Sequence, residues 1–366
     1  MYRMDSAPGA RTIINGKVLD YFCGTGYFAF QGKPEITKAA CDAVRKFGIG
    51  TATSRSGYGN NPVLLEVENR AARFFGTEAA LYYVSGYLGN AILLQGLKEK
   101  YDVIFVDEES HYSVKDGACI ANKPVISFRH RRAEDLSEKL KTELKPSQIP
   151  LVICDGIFPV SGEISPLRDY VQVLSSFERS LLCVDDAHAT GVIGEKGQGS
   201  LEYLGLKGKN RYSSGTLSKA LGGHGGIIAG DSALIDLLRD GSKIPYASSA
   251  VPVPAAAATA KALEILASRP EIRKRLWDNV AYAKASFRKL GFSLPESPVP
   301  ILCLSAGNVD LEAVQRGLFE KGIAVLYVPG GAYSSVPEEG AIRVAIFSSH
   351  TKEQIDRLIL EVKRGI

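Results

Sequence analysis

The chain has no pair of cysteines at C-x-x-C spacing; its six cysteines, Cys23, Cys41, Cys119, Cys154, Cys183 and Cys303, stand apart. Zinc ribbons and dithiol redox motifs are thereby excluded, and a disulfide framework is not expected in a chain of 366 residues. Cys154 and Cys183 lie inside apolar runs and read as small buried hydrophobes. Long hydrophobic runs are also lacking: none approaches the about 20 residues that a membrane span needs. The opening stretch MYRMDSAPGARTIING has no apolar h-region, so no secretory signal is expected and the cytoplasm is the expected location. Basic segments are missing too. The net charge of +4 is spread along the chain, which argues against nucleic-acid binding and fits ordinary surface charge better than attraction of an anionic substrate. Internal repeats and low-complexity tracts are absent as well, and no metal is expected.

What remains is an ordinary globular composition, 45% hydrophobic and 23% charged, long enough for two domains. Short apolar runs alternate with helical stretches. The runs ALYYVSG, VIFVDEES, PVISF, PLVICDGIF, LLCVDDAH, RYSSGTLS and GGIIAG are mostly apolar at consecutive positions, as strands covered on both faces are. Helical stretches such as PVLLEVENRAARFFG and YVQVLSSFERS separate them, giving a βαβ-like order and a mostly parallel, doubly wound α/β domain. Two long helices follow, PVPAAAATAKALEILASRP and EIRKRLWDNVAYAKASFRKLG. The remainder reads strand (PILCLS), helix, strand (IAVLYV), strand (AIRVAIF), helix. The expected organisation is an N-terminal segment (1–30), a large domain (31–255) and a small C-terminal α/β domain (256–366). GKVLDYFC is a strand able to join either domain.

Ligands of open α/β sheets bind where strands end, and polar residues gather just after these runs. Lys219, in SSGTLSKALGGHGG, sits beside a glycine cluster that lets backbone approach a ligand closely. A desolvated lysine can form an imine with a carbonyl cofactor, and Thr216 and Ser218 can donate to a phosphate beside it. An arbitrary lysine of this kind is more often simply exposed; the neighbouring motifs reverse that preference. Asp185 and His188, in LLCVDDAHATG, follow a buried run, and a buried carboxylate needs a cationic or hydrogen-bonding partner. The pyridinium nitrogen of pyridoxal 5′-phosphate (PLP) would be one, with His188 donating to the ring's phenolic oxygen. The same spacing also fits a metal or capping pair. SGYLGN, Ser85 to Asn90, opens a helix with free N–H groups suited to a phosphate, a feature many helices share. His111, in DEESHYS, suits stacking on a flat cofactor or a satisfied loop position equally. Arg343, inside AIRVAIF, needs an anion: a substrate carboxylate held bidentately, or a structural ion pair.

In order and spacing, SGYLGN, ESHYS, GIFPVSGEISPL, VDDAHATGVIGEKGQGS, SGTLSKALGGHGG, YASSAVP and IRVAIFSSHT resemble the α-oxoamine synthase family of fold-type I PLP enzymes, from about Asp20 to the C-terminus. The resemblance implies PLP carried on Lys219, with Asp185 as pyridinium partner, His188 on the ring oxygen and His111 stacked over the ring. It implies a phosphate held at Gly86 and Tyr87, helped by Thr216, and by Ser248 from a neighbouring subunit of a homodimer. Arg343 would bind the substrate carboxylate. The implied reaction joins an amino acid to an acyl-CoA. Three substrate-side positions depart from the family pattern. Thr25 stands for the family's asparagine, Leu64-Leu65 for its Leu-His, and Phe158-Pro159-Val160-Ser161-Gly162 for its Phe-Ser-Met-Asp-Gly. These departures leave PLP binding intact and keep two alternatives open, an aminotransferase and a non-catalytic PLP-fold binding protein. A dinucleotide-binding reading of LGGHGG fails because that loop leads into a strand, not a helix.

Overall fold

The computed structural model describes residues 2–307, 309–331 and 336–366. A seven-stranded sheet runs in the order Ala79–Tyr83, Gly226–Gly230, Arg211–Thr216, Leu181–Asp185, Pro150–Asp155, Val103–Asp107, Val125–Phe128. All strands are parallel except Gly226–Gly230, which is antiparallel to both neighbours. The consecutive apolar residues are used as their pattern predicts. Ile104, Leu151, Ile153 and Cys183 pack into one core and Phe105, Val152, Cys154 and Val184 into another, on opposite faces of the sheet. Asp107, Asp155 and Asp185 each end a parallel strand, so the carboxylates share one rim of the sheet.

The segment GKVLDYFC joins the small domain's elements. Lys17–Tyr21 pairs antiparallel with Arg11–Ile14 and parallel with Ile323–Ala324. The run IAVLYV is not one strand, as its apolarity implied, but two: Ile323–Ala324 and Leu326–Val328, the latter pairing with Ala341–Ala345. Val325 is buried between them, so an unbroken apolar run conceals a change of sheet. The helices Val253–Ser268 and Pro270–Lys289 follow one another with Pro270 at the first turn of the second. Beyond Lys17–Tyr21, backbone bonds run from the Phe22 amide to the Ala324 carbonyl, the Ala345 amide to the Phe22 carbonyl and the Ser348 amide to the Tyr27 carbonyl. They stitch residues 22–27 against the small domain and carry Tyr27 toward the rim of acids. Among the described residues no helix is long and apolar enough to cross a membrane.

Candidate active site

Lys219 lies in the loop that joins the strands Arg211–Thr216 and Gly226–Gly230. The loop turns tightly, with the Gly222 amide donating to the Lys219 carbonyl at 3.0 Å. Gly222 has φ of 61°, and a Cβ there would lie 2.8 Å from the Phe30 Cβ, so glycine is required twice over. The Lys219 amine is 2.9 Å from His188 Nε2, and His188 Nδ1 is 3.0 Å from the Tyr27 hydroxyl. Desolvation lowers the amine to about 8, against the opposing pull of the Asp185 and Asp155 carboxylates. Burial, then the neighbouring Lys219 charge, holds His188 well below the usual imidazole range, so it is neutral near pH 7. The neutral Lys219 fraction therefore grows as pH rises through about 8. Labelling of Lys219 by a small aldehyde, followed by mass spectrometry against pH, is expected to level off above that pH, while exposed lysines continue to gain reactivity toward about 10.4.

Asp185 is buried, and its carboxylate is held from three sides. Asn90 Nδ2 donates at 2.6 Å and Ser113 Oγ at 3.1 Å to one oxygen, and the Ala187 amide donates at 3.0 Å to the other. Ser214 Oγ fixes Asn90 in turn, at 2.9 Å from its Oδ1. Among the described residues no cation lies within ion-pair distance of Asp185, so the charge is oriented but not neutralised. This is the environment a cationic ring nitrogen fits. The partner acid Asp155 faces Asp185 in register across adjacent strands. Burial first, and then the Asp185 charge, push it well above the carboxylate range, so Asp155 is the protonated member. Its Oδ2 accepts the His111 amide at 2.9 Å.

His111 caps the helix Tyr112–Ile120, its Nδ1 accepting from the Ser113 amide at 3.2 Å and lying 2.8 Å from Ser113 Oγ. Burial lowers the basicity of His111. Ser113 thus touches both His111 and Asp185 and ties the stacking candidate to the candidate ring-nitrogen partner.

The candidate phosphate cradle is built from backbone. Ser85 caps the short 3-10 turn Gly86–Leu88, accepting the Tyr87 amide, and the helix Gly89–Gly96 continues from it. Thr216 and Ser218 hydroxyls lie 2.7 Å apart. A Cβ at Gly86 would stand 2.5 Å from Thr216 Oγ1, so turn and strand end meet in a cradle that any side chain would fill. Gly86→Ala is expected to weaken phosphate-ligand affinity about tenfold, roughly 1.4 kcal/mol, checked by titrating apoprotein with PLP. The Tyr87 side chain turns away from the cradle, its hydroxyl donating to Asp116 at 2.5 Å.

Arg343 is buried, but no carboxylate meets it among the described residues: Nε donates to the Pro159 carbonyl at 2.6 Å and Nη1 to the Gly24 carbonyl at 3.2 Å. The structural ion pair left open by the sequence is thus absent, and two of the three departing segments, around Thr25 and Pro159, adjoin this guanidinium. Thr25 is half-buried next to Gly24. The third departure, Leu65, is exposed on the helix Pro62–Phe75. Ser248 ends the helix Lys243–Ala247 and lines a small cavity with Arg55 and Tyr83. Sequence reasoning missed Tyr27, Asn90, Ser113 and Asp155 as parts of the site. Asn90 and Ser113 stand inside quoted motifs, and Asp155 ends a strand as Asp185 does; those positions were the available signals.

The chain belongs to the Aminotransferase class I and II family, matching it over residues 24–362. Its curated relatives are more particular. It is 35% identical to an 8-amino-7-oxononanoate synthase of Thermoanaerobacter pseudethanolicus, over 96% of this chain and 89% of that protein. It is 32% identical to 8-amino-7-oxononanoate synthase 1 of Bacillus subtilis, over 98% and 90%. Among solved structures it superposes on a Sphingomonas wittichii serine palmitoyltransferase with a TM-score of 0.91 at 27% identity, covering 100% of this chain and 91% of that one. A serine palmitoyltransferase of S. paucimobilis, solved with PLP bound, gives the same TM-score and identity, covering 100% and 92%. The fold-type I architecture and the α-oxoamine synthase likeness expected from the sequence both hold.

Proposed function

We propose that this protein is a PLP-dependent acyltransferase that condenses an amino acid with an acyl-CoA to give an α-amino ketone, in the manner of 8-amino-7-oxononanoate synthases. The cofactor is pyridoxal 5′-phosphate, carried on Lys219. The observation that carries the reading is the combination at the sheet rim of a buried lysine amine, lowered to about 8 and 2.9 Å from His188, with a buried and oriented Asp185 carboxylate that acts on it from beyond ion-pair distance. When bound, PLP supplies an electron sink for the substrate's α-carbon. The Asp185 charge would keep the ring nitrogen protonated, with Asn90 and Ser113 keeping that charge aimed. His188, fixed by Tyr27, would hold the ring oxygen. His111 would cover the ring, and the Gly86–Tyr87 turn with Ser85, Thr216 and Ser218 would take the phosphate. Arg343 receives the substrate carboxylate. Lys219 Nζ, uncharged near pH 8, removes the α-proton. A carbon–carbon bond then forms to the acyl carbonyl as the carbon–sulfur bond breaks. The thiol of CoA departs, and carbon dioxide is lost from the resulting β-keto acid.

The working unit is a cytoplasmic homodimer in which Ser248 reaches the partner subunit's phosphate site. Incubating holoenzyme with acyl-CoAs and small amino acids should release free thiol only when both substrates are present. Thiol release with no combination, together with formation of pyridoxamine phosphate from an amino donor, would establish an aminotransferase instead.

A further inference from the structure

Away from the site, a cavity of about 760 Å³ opens along one stripe of the helix Pro270–Lys289. Trp277, Ala281, Lys284 and Arg288 share this face at i, i+4, i+7 and i+11, and the opposing wall includes Tyr203 and Pro298. The volume lies within the about 300–1,000 Å³ of small-molecule sites. Lys284 is the unusual member: only 2% exposed, yet paired with no carboxylate among the described residues. Its amine donates to the Ser297 carbonyl and hydroxyl, each at 3.0 Å, which leaves one of its three N–H bonds over. Arg288, one turn further on, spends Nε on the Leu294 carbonyl at 3.1 Å and adds a second positive charge. Burial, then that charge, lower Lys284 to about 7.

Two cations set i, i+4 on a helix repel, and burying one of them without an anion is costly. Three acids line the cavity, Glu195, Asp278 and Glu296, and none forms an ion pair with Lys284 or Arg288 among the described residues. Asp278 is paired with Lys274 at 2.7 Å, and Glu296 is exposed. An anion with an apolar body would match the two cations and the indole, phenol, alanine and proline surfaces beside them, with the carboxylates of Glu195, Asp278 and Glu296 elsewhere in the lining.

We propose that this cavity binds a small organic carboxylate, with its charge against Lys284 and Arg288 and its apolar part along Trp277 and Tyr203. The site also touches the chain leading from the catalytic histidine. The Trp277 indole donates to the Val192 carbonyl at 2.8 Å and Arg273 to the Glu195 carbonyl at 2.9 Å, four and seven residues beyond His188.

Trp277 is the chain's one tryptophan, so tryptophan fluorescence comes from the wall of this cavity. Titrating holoenzyme with octanoate should change that fluorescence saturably, and neutral octanamide should bind at least tenfold more weakly. Lys284→Met, which keeps the side-chain volume and removes the buried charge, should fold and weaken octanoate binding at least tenfold. Should it fail to fold, Arg288→Gln serves, with a several-fold weakening expected. Lys219→Ala, outside the cavity, should leave the response intact. No saturable change, equal binding of octanamide, or unaltered octanoate affinity in the folded Lys284 or Arg288 variant overturns the proposal.

Discussion

Lys219→Ala is expected to lower kcat/KM by about 10⁴-fold or more, equivalent to roughly 5.4 kcal/mol of transition-state stabilisation. On the proposed reading one side chain supplies three services: the covalent hold on the cofactor, the base for the α-proton, and the hydrogen bond to His188 at 2.9 Å. No neighbour can replace it. The nearest nitrogen bases, His188 and His111, are both depressed by burial and stay neutral, but neither is an amine able to form an imine. Stability should move the other way or hardly at all, because the variant relieves the desolvation that pushes the amine down to about 8. Kinetics on thiol release together with a thermal melt checks both halves: lost turnover with an unchanged melting temperature. Residual activity within tenfold of the parent would remove Lys219 from the mechanism.

Asp185→Asn should cost about 10³-fold in kcat/KM, roughly 4 kcal/mol, while PLP still binds. The substitution preserves shape and removes charge. Its amide would meet Asn90 Nδ2 and Ser113 Oγ at one oxygen position and the Ala187 amide at the other, so one donor must face another donor. More important, on the proposed reading the ring nitrogen would lose its one carboxylate partner. Asp155 is held protonated by burial and by the Asp185 charge, and with that charge removed Asp155 should titrate lower. Part of the lost function should therefore return at higher pH, as Asp155 ionises. A ratio of variant to parent rate that rises with pH, beyond the rise that Lys219 gives both, is the expected signature. A pH-independent loss would mean that Asp155 lies too far from the ring to substitute.

The fold was legible because both faces of the central strands are covered: Val103–Asp107 and Leu181–Asp185 are apolar at successive positions, and each ends on an acid. The same rule failed at IAVLYV, where uniform apolarity hid a strand that leaves one sheet and enters another at Val325. In the site, residues with a chemical signature were visible: the lysine beside glycines, the Asp-x-x-His, the histidine after a strand. Those that act by holding others were not. Tyr27 meets His188 across 161 positions and Asn90 meets Asp185 across 95, contacts that no local spacing encodes. The buried Arg343 was recognised as needing an anion, but its present bonds run to the Pro159 and Gly24 carbonyls, which depend on how two loops fold against the small domain. These loops carry two of the sequence's departures, Thr25 and Pro159, so the substrate side has changed where backbone rather than side chains sets the geometry.

The central claim is that one lysine among many carries the cofactor. Reducing the holoenzyme with borohydride and mapping its peptides by mass spectrometry tests it directly. The structure predicts a phosphopyridoxyl group on the peptide bearing Lys219 and on no other. A label on a different lysine, or a holoenzyme that carries none after reduction, would contradict it.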